Sequence, residues 1–145
     1  MTPRARIPLL LLLLINAVVS AGVLIMLLTR PSPEPAYTSG QQSAAQSHMC
    51  ERFDLAARAV HTATNNPDGN VGVARDALTN GAAMLELAAA SPALDSGFRE
   101  AAQALATAYL TQAAMGLTST PDQYAEALAD TAGKTSAMET RCAAT

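Results

Sequence analysis

The stretch IPLLLLLLINAVVSAGVLIMLLT, Ile7 to Thr29, runs for 23 residues without a charge. No other feature limits the fate of this chain so strongly. Wound into an α-helix it reaches ~34 Å, enough to cross a hydrocarbon core of about 30 Å. Pro8 falls in the first turn, where a missing amide proton costs little. Arg4 and Arg6 precede the run and Arg30 follows it, which favours an uncleaved signal anchor with a cytoplasmic N-terminus. The alternative is a cleaved signal peptide, since Val19-Ser20-Ala21 offers a small-residue site and secretion would follow cleavage after Ala21. Against it, GVLIMLL stays apolar beyond that site. Either way the rest of the chain is expected outside the cytoplasm, and the anchor reading makes this a single-pass protein of the cell membrane in contact with the lipid bilayer. Within the span Asn16 and Ser20 lie four apart, flanked by Ala17 and Ala21 on one face. Such a stripe supports membrane-helix association and a homo-oligomer; the plainer reading is that one amide and one hydroxyl are tolerated in so apolar a helix.

Residues 30–47 (RPSPEPAYTSGQQSAAQS) begin with alternating prolines and turn polar, the composition of an extended and then flexible linker. Residues 48–145 read as helices divided by turns. NNPDGN is the strongest break, and Ser91-Pro92 and Thr120-Pro121 each set a capping hydroxyl before a proline suited to the first helical position. TPDQ adds a capping box, Thr120 with Gln123. Helices are predicted over 44–64, 71–90, 92–117 and 121–143, the third starting late or bending at Ser96-Gly97. The short connections favour an antiparallel, up-down four-helix bundle.

Each predicted helix carries an apolar stripe at helical spacing. The first is Cys50, Phe53, Ala57, Val60, Thr64; the second Val71, Ala74, Leu78, Ala82, Leu85, Ala89. The third is Leu94, Phe98, Ala101, Leu105, Ala108, widened by Leu110 and Leu117; the fourth Tyr124, Leu128, Thr131, Thr135, Met138, Cys142. Aromatic residues are only 3% of the chain against 50% hydrophobic, so the core is aliphatic and alanine-rich, which suits close helix packing and argues against a β-sandwich. So thin a core gains from a staple.

Cys50 and Cys142, the only two cysteines, stand at the start of the first stripe and the end of the last. In an up-down bundle those positions meet at one end, facing inward. Outside the cytoplasm disulfides persist, so a Cys50–Cys142 bridge is expected. The chain-entropy model allows it at most about 4.6 kcal/mol. A metal site recruiting His48 would have three ligands without metal-ligand spacing, and a redox pair would favour CxxC.

Candidates for catalysis are few. His61 lies beside Val60 at the solvent edge of its stripe, where a lone histidine is usually a surface residue. Asp122, Glu126 and Asp130 repeat every four residues as an acidic ridge, most simply a solvated face. No nucleophile elbow, HExxH or phosphate loop is present, and no cofactor or metal is called for. Residues 1–30 hold three basic groups; the remainder holds six basic against twelve acidic, a net −6 that argues against nucleic acid as a partner.

The stretch from Ala77 to Tyr109 resembles uncharacterised alanine-rich single-pass envelope proteins of mycobacteria and related actinobacteria. Thr79-Asn80-Gly81-Ala82, Met84-Leu85, Pro92-Ala93-Leu94-Asp95 and Arg99-Glu100-Ala101-Ala102 carry the likeness. It implies a membrane protein of the envelope and supplies no catalytic residues. Helical type VII secretion substrates share that setting, but with no tryptophan this chain lacks their Trp-x-Gly turn.

The expectation is thus an all-α protein: a transmembrane helix, a linker and an extracytoplasmic four-helix bundle closed by a disulfide. Its expected function is non-enzymatic, as an accessory or interaction subunit with a protein partner in the envelope. The alternative is a small-molecule or lipid binder, which requires a pocket of about 300 Å³ or more.

Overall fold

The computed structural model describes Asn16, Ser20 and residues 36–66 and 69–145. The chain divides into two units, Met1–Ala36 and Tyr37–Thr145. In the first, Asn16 and Ser20 are both helical and both exposed. The rest of the predicted span, with Ala17 and Ala21, lies outside the described residues, as do Pro67 and Asp68 of the NNPDGN turn. Among the described residues no helix is long and apolar enough to cross a membrane.

The second unit is all helical: α1 (Ser39–Thr64), α2 (Val71–Ala89), α3 (Ser96–Thr118) and α4 (Pro121–Ala143). The side chain of each N-cap residue explains each start. Thr38 Oγ1 accepts from the Gln41 amide at 3.2 Å while Gln41 Oε1 accepts from the Thr38 amide at 2.9 Å, a complete capping box. That box starts α1 at Ser39, so the second half of the predicted linker is helix and Cys50 stands about three turns into α1. Asn70 caps α2 through Gly72 N at 2.7 Å, and Thr120 caps α4 with the predicted box and Pro121 in the first turn. The third helix begins late, at Ser96. Its cap is Asp95, which accepts from Phe98 N at 3.0 Å, and not Ser91. The chain before that cap is pinned by Arg99, whose Nη2 donates to the carbonyls of Ser91 at 3.1 Å and Leu94 at 2.8 Å.

The helices do not share burial equally. α3 packs extensively against both α2 and α4, and α1 packs extensively against α2. α1 and α4 touch only sparsely, so the fourth side of the bundle is an open seam. This asymmetry accounts for most departures from the predicted stripes. α1 turns its inward face toward α2, so that Met49, Phe53, Ala56 and Val60 are buried while Cys50 and Ala57 are half-buried. α3, gripped from two sides, buries Ala102, Ala106, Tyr109, Gln112 and Ala113 beyond its predicted stripe. α4 buries only Ala127, Thr131 and Met138, leaving Leu128 exposed. Val71, Leu110 and Leu117, expected inside, are also exposed.

The bridge is present. Cys50 and Cys142 form a disulfide with Cα atoms 5.6 Å apart, across a sequence separation of 92. It joins α1 to α4 at one end of the seam, and both half-cystines pack against the core cluster. The α1 residues before it brace the same end: Ala45 packs on the core, and Gln46 Nε2 donates to Asp95 Oδ2 at 3.0 Å.

Candidate functional site

Antiparallel helices joined at Cys50–Cys142 pair residues 57–65 of α1 with the middle of α4. There the two helices stand apart and α3 is visible between them as a floor. The resulting groove is about 330 Å³ in volume. Ala57, Val60, His61, Thr64 and Asn65 line one side; Leu128, Thr131, Ala132, Thr135, Ser136 and Glu139 line the other; Tyr109 and Gln112 form the floor.

The floor is where the chemistry is unusual. Tyr109 is 1% exposed and Gln112 is 3% exposed, one turn apart on α3. Burial pushes the Tyr109 hydroxyl pKa up; hydrogen bonding with Thr135 draws it down, and the charge of Glu139 raises it further, leaving it above its ordinary value. Thr131 Oγ1 donates to the Ala108 carbonyl at 3.5 Å, and Thr135 Oγ1 donates to the Thr131 carbonyl at 2.9 Å. Gln112 Oε1, by contrast, is sealed from solvent with no hydrogen-bond partner among the described residues. A buried acceptor left unmet costs about 1–3 kcal/mol, so its presence at the base of a groove requires a reason.

A second hollow, about 420 Å³, lies at the end of the unit away from the disulfide, between the α1–α2 and α3–α4 turns. It borders the groove through Thr64. Though larger, its lining includes the exposed turn residues Asn66, Gly69, Asn70 and Thr120, and none of its described residues carries a buried side-chain atom without a partner.

The residues singled out from sequence fall as follows. Cys50 and Cys142 are joined in the disulfide that closes one end of the seam. His48 is exposed and its Nε2 accepts from Arg52 Nε at 3.4 Å. His61 is exposed on the groove rim, with Nδ1 3.0 Å from Asn65 Nδ2. Asp122, Glu126 and Asp130 are exposed, and Asp130 pairs with Lys134. Among the described residues no group of three or more His, Cys, Asp or Glu side chains is placed to hold a metal ion. Tyr109 and Gln112 were not among the sequence candidates. The available signal was Gln112 itself, seven residues after Leu105 on the face that Leu105 and Tyr109 define, a polar side chain on an apolar stripe.

Comparison with known proteins returns no match: no family model, curated protein or solved structure resembles this chain closely enough to register.

Proposed function

We propose that this chain is a non-enzymatic binding protein that takes a small amphipathic molecule in the α1–α4 groove. The N-terminal apolar run would serve as its anchor, with the helical unit held outside the cytoplasm. One observation carries the reading: a groove of about 330 Å³ is lined by Gln112, whose buried side-chain oxygen no described residue satisfies. Its volume lies in the range of small-molecule sites, which combine apolar walls with a few placed polar groups. The test is titration of the ¹⁵N-labelled full chain in phospholipid nanodiscs with 4-hexylphenol, free probe being corrected against empty nanodiscs. Saturable amide shifts over residues 57–65 and 128–139 support the reading, provided that Ala132→Trp, which fills the groove, abolishes them. Shifts that do not saturate, or that survive Ala132→Trp, refute it.

A second reading, an accessory subunit that docks a partner protein, draws on a different observation. Val71 and Val73 in the first turn of α2 and Leu117 in the last turn of α3 are 65%, 56% and 59% exposed, and antiparallel packing sets them at the same end of the unit. Crosslinking in native membranes should then trap a partner through that end. Loss of the crosslink in Val73→Asp supports docking; an unchanged crosslink pattern opposes it.

A further inference from the structure

The groove's polar inventory narrows the chemistry of its ligand. Among the described residues one side-chain atom is both buried and unpaired, Gln112 Oε1, and Gln112 lies on the groove floor. An amide oxygen accepts and cannot donate, so only a ligand bringing an N–H or O–H can satisfy it. Such a ligand recovers on binding a cost that the empty groove carries. The flanking walls, Val60 on α1 and Leu128 with Ala132 on α4, ask for an apolar body. Glu139 stands at the edge with a negative charge. A carboxylate head would therefore meet an acceptor with an acceptor and an anion with an anion.

The oxygen is sealed from solvent as the helices stand, so a donor reaches it only through a local rearrangement at the groove floor, which a separation of α1 from α4 would allow. α1 and α4 pack far more sparsely than the three pairs of helices consecutive in the chain, and the disulfide holds them together at one end. Few direct contacts between α1 and α4 stand in the way of that separation.

Resting on the binding function proposed above, we infer that the groove selects an uncharged amphiphile whose hydroxyl or N–H head donates to Gln112 Oε1, and that it discriminates against carboxylate amphiphiles. A fatty acid anion is on this account a poor ligand, and a long-chain alcohol, phenol or amide a good one.

Three probes of matched size test the donor: 4-hexylphenol donates, 4-hexylanisole has the oxygen without the proton, and 4-hexylbenzoate is an anionic acceptor. With the full chain in nanodiscs, the phenol should bind about tenfold more tightly than the anisole, the equivalent of one hydrogen bond. The benzoate should bind most weakly, and the Gln112 side-chain amide resonances should move with the phenol alone. In Gln112→Leu the phenol's advantage should fall below about twofold. Equal binding of phenol and anisole to the native chain overturns the donor inference without recourse to any variant, and so does an advantage that survives Gln112→Leu. Those outcomes leave groove binding standing. Failure of all three probes to saturate overturns the binding function itself.

Discussion

Gly81 brings the backbone of α2 against the ring of Tyr109 on α3. A Cβ at position 81 would lie 3.3 Å from Cδ2 and Cε2 of that ring and 3.2 Å from Cγ2 of Val60 on α1. Three helices thus converge on one missing side chain, directly behind the groove floor. Gly133, also helical, has nothing within 4 Å of its would-be Cβ.

Alanine at the two positions should act in opposite directions. Each gains about 1 kcal/mol of helix propensity. At Gly133 nothing offsets the gain, so Gly133→Ala should stabilise by about that amount. At Gly81 crowding of a buried ring and a stiff valine costs about 2 kcal/mol, and Gly81→Ala should destabilise by about 1 kcal/mol net. Urea unfolding of the two variants measures both.

Gln112→Leu should raise stability by about 1 kcal/mol while weakening ligand capture. Leucine keeps most of the volume and removes the unmet acceptor, whose burial is a cost in the empty state. A gain in thermal midpoint together with a loss of phenol selectivity is the expected pair. A fall in midpoint would mean that Gln112 is satisfied in the native chain.

Reduction of Cys50–Cys142, or the Cys50→Ser and Cys142→Ser double variant, should cost about 2–4 kcal/mol, below the ceiling for so long a loop. The loss should have a pattern. Because α1 and α4 touch sparsely, amide exchange should rise first along their facing sides and last in α2 and α3. Uniform loss of protection across all four helices would contradict the open seam.

Asp95 contributes to the fall of stability in acid. Burial pushes its carboxyl up, but the Phe98 amide, the Gln46 side chain, the Gly97 amide and the charge of Arg141 together outweigh it and hold the pKa below the ordinary 3.8. A group lowered on folding contributes stability that is complete above its unfolded-state pKa and is lost as pH falls through the folded value. Asp95→Asn, which keeps a capping side chain, should therefore flatten the fall in thermal midpoint below pH 4. Asp95→Ala should cost about 1 kcal/mol at neutral pH through the lost cap.

The helical plan was legible because its signals are local. Thr120-Pro121-Asp122-Gln123 announces α4, and the Cys50 and Cys142 pairing follows from antiparallel geometry once four helices are accepted. Thr38-Ser39-Gly40-Gln41 carries the same capping pattern and starts α1 at Ser39, but the prolines just before it give the segment the composition of a linker. What periodicity could not reveal was which helices pair closely. The predicted stripes presume that all four sides of the bundle are equivalent. One side is nearly unpaired, so Met49 and Ala56 replaced Cys50 and Ala57 as the buried face of α1, and Leu128 was left at the edge of a groove. Gln112 belongs to the same lesson: its position on α3 was readable, but its lack of a partner depends on two helices distant in sequence.

The most direct test of the groove is where a bound probe lies. Intermolecular nuclear Overhauser effects from 4-hexylphenol to the full chain in nanodiscs should connect its hexyl protons to the methyls of Val60 and Leu128, and its ring protons to the Gln112 side-chain amide and the Tyr109 ring. Effects confined to Val71, Val73 and Leu117, or to lipid alone, would contradict the account.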